Sequence, residues 1–217
     1  MKRTSLILTA LCLTLLICSQ AMAQQHSGPY IGAFIGGNAL MSAKGSDDVG
    51  DFGLEFNPAP LGSVVLGWDF EKGNPVGEGR VELEFSHRSN PLDQVKFTKG
   101  SFAAGGNVTA DSLLLNFFGV PRDTGRWAPY IGVGIGAARI EAADLKVTGQ
   151  PMSSGSAVVF AYQMGAGVDI ALTERLSLDF GYRFFSSARP KFTEVNGHVF
   201  AMDYLNHSAV LGLRVGF

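Results

Sequence analysis

Beyond residue 23 the sequence has no run of about 18 apolar residues, so nothing in residues 24–217 suits a membrane-crossing helix. Charge is also scarce. Only 17% of residues are charged, against the roughly 25% usual in soluble domains. Seventeen Lys and Arg face nineteen Asp and Glu; with no basic excess, nucleic acid is not an expected partner. Both cysteines, Cys12 and Cys18, lie in the first segment, which excludes disulfides, cysteine metal sites and thiol catalysis from the remainder. What is abundant is apolar surface (46% of residues), with 28 glycines and 16 phenylalanines. A chain this apolar, with no helix to place in a bilayer, points to β-structure that faces lipid.

Residues 1–23 read as an export signal. Met1-Lys2-Arg3 is a basic start, Leu6 to Cys18 is an uncharged apolar stretch, and Ala21-Met22-Ala23 is an A-x-A cleavage site. The stretch is short for a membrane anchor, and Ile17 is bulky for the position before a lipidated cysteine. Cleavage is expected after Ala23, leaving one domain over residues 24–217.

That domain alternates with period two, the signature of strands with two unlike faces. Ala209, Leu211, Leu213, Val215 and Phe217 oppose Ser208, Gly212, Arg214 and Gly216. Leu176, Leu178, Phe180, Tyr182 and Phe184 oppose Ser177, Asp179, Gly181 and Arg183, and Ile131, Val133 and Ile135 oppose Gly132, Gly134 and Gly136. The pattern gives eight strands; the first, roughly Tyr30 to Leu40, is the least regular because Phe34 falls on the glycine side. A soluble sandwich would turn its polar face to water, where glycine only weakens a strand. A narrow eight-stranded barrel has an interior that side chains just fill, and glycines there leave room for larger inward groups. Connections at 41–61, 89–110, 141–156 and 186–203 read as long loops, alternating with short ones, as outer-membrane barrels place long loops outside and short turns in the periplasm. Tyr30, Phe70, Phe97, Trp127, Tyr130 and Tyr204, near strand ends, are candidates for interfacial girdles. The expected fold is all-β: an eight-stranded antiparallel up-and-down transmembrane β-barrel.

Gly-Pro-Tyr-Ile-Gly at 28–32, Arg80-Val81-Glu82-Leu83-Glu84-Phe85-Ser86, Ala128-Pro129-Tyr130-Ile131-Gly132-Val133-Gly134, Leu178-Asp179-Phe180-Gly181-Tyr182-Arg183 and the final Leu213-Arg214-Val215-Gly216-Phe217 follow one another along the chain. In that order they resemble the opacity-type, OmpA-like eight-stranded outer-membrane β-barrel (porin-like) family of Gram-negative bacteria, over the whole of residues 24–217. The resemblance implies a place in the cell outer membrane amid lipid and lipopolysaccharide, and surface contacts, as an antigen or adhesin, through the four long loops. It also implies passage through periplasmic chaperones and the barrel-assembly machinery, with Leu213, Val215 and the terminal Phe217 similar to the assembly signal. Because the sequence ends on that strand, the peptidoglycan-binding domain of larger relatives is not expected.

Parity turns Glu82, Glu84, Arg88, Asp179, Arg183 and Arg214 inward, with Asp69, Gln163 and Asp169. Charges in a dry lumen must be paired, so these residues form an expected interior network, with Glu82 and Glu84 as partners for Arg183 and Arg214. The network can plug the barrel and fix its register, or line a narrow porin-like channel. His87-Arg88-Ser89-Asn90 offers a third reading. It is similar to the short motif of outer-membrane lipid A deacylases, in which His activates Ser; but such a pair needs an orienting acid, and positions 94–110 hold none. The scattered histidines have no metal spacing. Asp47, Asp48 and Asp51 lack EF-hand spacing and read as a solvated loop, and Gly132-x-Gly134-x-Gly136 alternates inside an apolar strand and opens no helix, so it is not a phosphate loop. No cofactor, metal or catalysis is expected; the role expected is envelope integrity or surface contact.

Overall fold

A computed structural model describes residues 27–46, 50–75, 77–121, 125–195 and 197–217. The export signal at 1–23 therefore lies outside the described residues, as do Asp47 and Asp48 of the acidic loop.

Every regular element among the described residues is a strand. Eight of them form the barrel: β1 (Gly28–Leu40), β4 (Ala59–Asp69), β5 (Gly79–Phe97), β6 (Gly100–Gly119), β7 (Trp127–Val147), β8 (Gln150–Ala171), β9 (Leu176–Ser187) and β12 (Leu205–Gly216). Each pairs antiparallel with its two neighbours, and the ring closes where Ala33 of β1 meets Leu213 of β12. Closure leaves no sheet edge for lipid to meet, the condition for a β-structure to span a bilayer. The start of β1, the end of β12 and the shorter connections after β4, β6 and β8 share one end, which by the usual asymmetry of such barrels is periplasmic.

Four short strands, β2 (Ala43–Ser46), β3 (Asp51–Phe56), β10 (Lys191–Thr193) and β11 (Val199–Met202), lie at the opposite end. β3 pairs with the outer half of β5, β2 with β3, and β11 with both β2 and β10. A bridge between Ser153 of β8 and Glu194 joins the last gap, with Val195 N–H donating to the Met152 carbonyl (3.0 Å) and Ser153 Oγ to the Thr193 carbonyl (2.8 Å). The wall thus continues outward as a second ring in which β5–β8 persist and the short strands replace β1, β4, β9 and β12.

Two of the expected loops are therefore corrected. Residues 89–110 and 141–156 are the outer ends of β5–β6 and β7–β8, joined by the two-residue turns Thr98-Lys99 and Thr148-Gly149. Their outward positions face water rather than lipid, so they are polar, and polarity in a strand that leaves the membrane imitates a loop. Bulges between Pro91 and Gln94 and between Ala142 and Leu145 shift the alternation and hide it further. At the second bulge Asp144 adopts φ 51°, and glycine is required opposite it, at Gly106 (φ 99°), where a Cβ would press on the Asp144 and Ala143 carbonyls.

The girdle expectation is corrected as well. Trp127 is outward and 60% exposed, but Tyr30, Tyr130 and Tyr204 are buried in the lumen, and Phe97 stands at the outer tip. Glycine explains the two tyrosines near the periplasmic end. A Cβ at Gly67 would collide with the Tyr30 ring, and one at Gly167 or Gly181 with Tyr130. Phe34, the irregular residue of β1, likewise lies inside against Gly212.

Candidate functional site

The lumen of the lower barrel is filled by a charge network. Arg80, the second residue of β5, has the inward parity shared by Glu82, Glu84, Ser86 and Arg88. Its Nε lies 2.8 Å from Glu82 Oε1, an ion pair whose N–H is not aimed at the oxygen; its Nη2 donates to Asp179 Oδ2 at 3.0 Å, and its Nη1 is 3.7 Å from Asp169 Oδ2. The guanidinium also lies over the Tyr130 ring, 4.3 Å from its centroid. Tyr130 Oη donates to Asp179 Oδ1 (2.6 Å) and accepts from Arg183 Nη1 (3.0 Å), while Tyr30 Oη donates to Glu82 Oε1 (2.6 Å). Arg214 bonds Asp69 Oδ2 (3.1 Å) and contacts Asp169, with Tyr30 beneath it. A little outward, Glu84 accepts from Asn116 (2.7 Å) and Gln163 (2.9 Å), and Arg88 lies over Phe185 and donates to Ser112 Oγ at 3.2 Å.

Glu82, Glu84, Asp179, Arg183 and Arg214 all stand inside, but their partners differ from those expected. Arg214 pairs with Asp69 and Asp169 rather than with either glutamate, and Arg183 serves Tyr130 and the Tyr182 carbonyl. The hub, Arg80, is not among the residues expected from the sequence because it lies at the edge of its strand, one residue in from Gly79; its even parity with Glu82 and Glu84 is the available signal. The space left between Phe34, Val65, Glu84, Arg88, Arg183 and Ser208 is about 10 Å³, room for about one water.

Outward of Arg88, past the buried and hydrogen-bonded Asn38, Asn90 and Asn206, the lumen turns apolar. Leu54, Val95, Val108, Ile140, Leu145, Phe192, Phe200 and Met202 form one buried cluster with Phe185 and Tyr204. At the outer tip, partly exposed Phe97 and Phe102 line an open cup with Phe52 and Val147.

His87 and Ser89 project from the outer wall of β5. Asp111 of β6, one residue beyond the acid-free positions 94–110, meets His87 Nδ1 at 2.7 Å. Ser89 Oγ pairs with Thr109 Oγ1 at 3.1 Å and makes no hydrogen bond to His87. The imidazole is oriented; the hydroxyl is engaged elsewhere. Leu213, Val215 and Phe217 face outward and exposed, with the Phe217 N–H on the Pro29 carbonyl (3.2 Å).

A closed barrel with a greasy exterior and a charged interior has counterparts among known proteins. Residues 9–217 match the family model for the outer membrane protein beta-barrel domain. The chain belongs to that family. Its place is the cell outer membrane, embedded in lipid. Among solved structures, the outer membrane protein OprG from Pseudomonas aeruginosa superposes with a TM-score of 0.59 at 14% identity, covering 90% of this chain and all of that one. Neisserial surface protein A gives a TM-score of 0.49 at 17% identity, over 88% of this chain and 98% of that one. No curated sequence relative matches.

Proposed function

We propose that this barrel is a sealed scaffold that displays its outer ring to the surroundings of the cell, acting in surface contact and envelope integrity without catalysis. The observation that carries this reading is the division of the lumen. Arg80, Arg183 and Arg214 with their carboxylates fill one end, buried apolar side chains fill the other, and about 10 Å³ remains free between Glu84 and Arg183. Loops and tips held on a rigid frame are where recognition resides. On this reading the partners are lipopolysaccharide around the wall and a host or surface ligand at the tip, reached through the connections near 41–61 and 186–203 and the hairpin ends within 89–110 and 141–156. Leu213, Val215 and Phe217 serve as the assembly signal for the barrel-assembly machinery after export by residues 1–23. Deleting the hairpin end 93–104 and measuring cell attachment tests the reading; unchanged attachment and unchanged envelope sensitivity overturn it. Planar-bilayer recording separates it from a narrow channel, since steady single-channel openings contradict a filled lumen.

The His87–Asp111 contact favours one second reading, deacylation of lipid A. There Asp111 orients His87, and Ser89 would turn from Thr109 to attack an acyl ester in the outer leaflet. Fatty acid release from lipid A by the purified protein, lost in Ser89→Ala, supports it; its absence leaves His87 as a wall residue.

A further inference from the structure

Above the bilayer an exposed phenyl ring meets water rather than acyl chains, and a gathered apolar surface in that position marks a binding site. Here the rings line a hollow. A cavity of about 510 Å³ opens between the hairpin tips, with Phe52, Phe97, Phe102 and Val147 as walls. A second, of about 440 Å³, shares Phe52, Phe97 and Val147 and adds Met152 and Val195. Together they make one elongated trough, each half within the roughly 300–1,000 Å³ of small-molecule sites. Its floor is dry. Ring centroids step from Phe102 to Phe97 (5.9 Å), to Phe52 (5.8 Å), to Phe200 (5.7 Å) and to Phe192 (5.5 Å), a continuous aromatic path from the mouth into the buried cluster. The rim carries Lys99 and Asp51. Neither has an ion-pair partner among the described residues, and Glu194 lines the second hollow, so the trough offers charge of both signs to a head group.

We propose that this trough binds the tail of a single-chain lipophile, an unbranched alkyl or acyl chain of medium length that enters from the outer aqueous side. This goes beyond the surface-contact reading and stands on the trough alone. An extended chain matches two joined hollows better than a compact body does, and phenyl faces and a thioether (Met152) suit methylene groups. The walls are set in advance, because β5–β6 and β7–β8 are paired to within two residues of their turns.

The test uses the chain from residue 24 onward, refolded in lipid nanodiscs, with Thr98→Trp as a reporter at the rim in a Trp68→Phe/Trp127→Phe background. The probe is ω-bromodecanoate, whose bromine quenches an indole on contact. Trp68 and Trp127 of the unsubstituted protein, outward at the periplasmic end, report simple partitioning into the bilayer. The expected result is saturable quenching at position 98, with a midpoint independent of lipid concentration. Phe97→Asp or Val147→Asp should raise that midpoint by about tenfold or more, because a desolvated carboxylate would line the tail site. Heat-modifiable gel mobility identifies which variants are folded, and either one suffices. Bromodecanol and bromodecyltrimethylammonium should bind within a few-fold of the carboxylate. Quenching that follows the Trp68/Trp127 signal and scales with lipid overturns the proposal. So does a midpoint unmoved in a folded Asp variant, or a rim that answers only to a partner protein.

Discussion

Along the lower half of β7, Ile131, Val133 and Ile135 stand outward, each more than half exposed, while Gly132, Gly134 and Gly136 face the lumen. A few residues on, in the same strand, Arg139 and Glu141 are outside, paired at 2.9 Å, and Ile140, Ala142 and Leu145 are inside and buried. β5 and β6 reverse in the same way, from Phe85 and Leu113 outside to His87 and Asp111 outside, and from Glu84 inside to Leu92 and Val108 inside. One wall thus obeys opposite rules at its two ends, and the surrounding medium sets the rule. In hydrocarbon the outer face must be apolar and polar groups turn in to find partners; in water the ordinary preference for a buried apolar core returns. The reversal locates the outer membrane boundary near Arg139, Asp111 and His87.

The comparison can be broken at either end. Arg80→Leu should be the most damaging change, leaving Glu82 and Asp179 buried without their cation at a cost of about 3–5 kcal/mol; guanidinium unfolding in detergent, followed by gel mobility, measures it. Next, Ile135→Lys should cost about 2–4 kcal/mol in bilayer refolding, whereas Arg139→Leu, four positions further, should change little; equal effects would place the boundary wrongly. Gly212→Ala should cost about 1–3 kcal/mol, since its Cβ would overlap the Phe34 ring, and pairing it with Phe34→Leu should restore much of the loss. Smallest, Asp111→Ala should shift stability by about 0–1 kcal/mol, as exposed pairs do.

Strand number, closure and the inward charges were legible because alternation within the membrane is enforced by two unlike solvents, as at Leu211–Phe217 and Ile131–Ala137. Partner choice was not. Arg214 reaches Asp69 and Asp169 through a three-dimensional register that parity alone does not fix, and Arg80 stood at a strand boundary. Tyr30 and Tyr130 looked like girdle residues because aromatic character says nothing about side; the glycines at 67, 167 and 181 on neighbouring strands hold that information. Beyond Arg139 the reversed preference made true strands read as loops. Asp111 escaped because the acid facing His87 comes from the next strand across the ladder, at a separation set by the length of the hairpin.

The outer ring is not equally strong around its circumference. β5 to β8 are zipped over long ladders, but among the described residues β8 is tied to the segment after β10 by one bridge at Ser153 and Glu194 with two flanking hydrogen bonds. Local opening starts where fewest bonds must part together, so thermal breathing should concentrate along this line. Deuterium should enter the amide of Val195 well before those of Ile140 or Val108, and a protease acting on intact cells should cut first beside that slit.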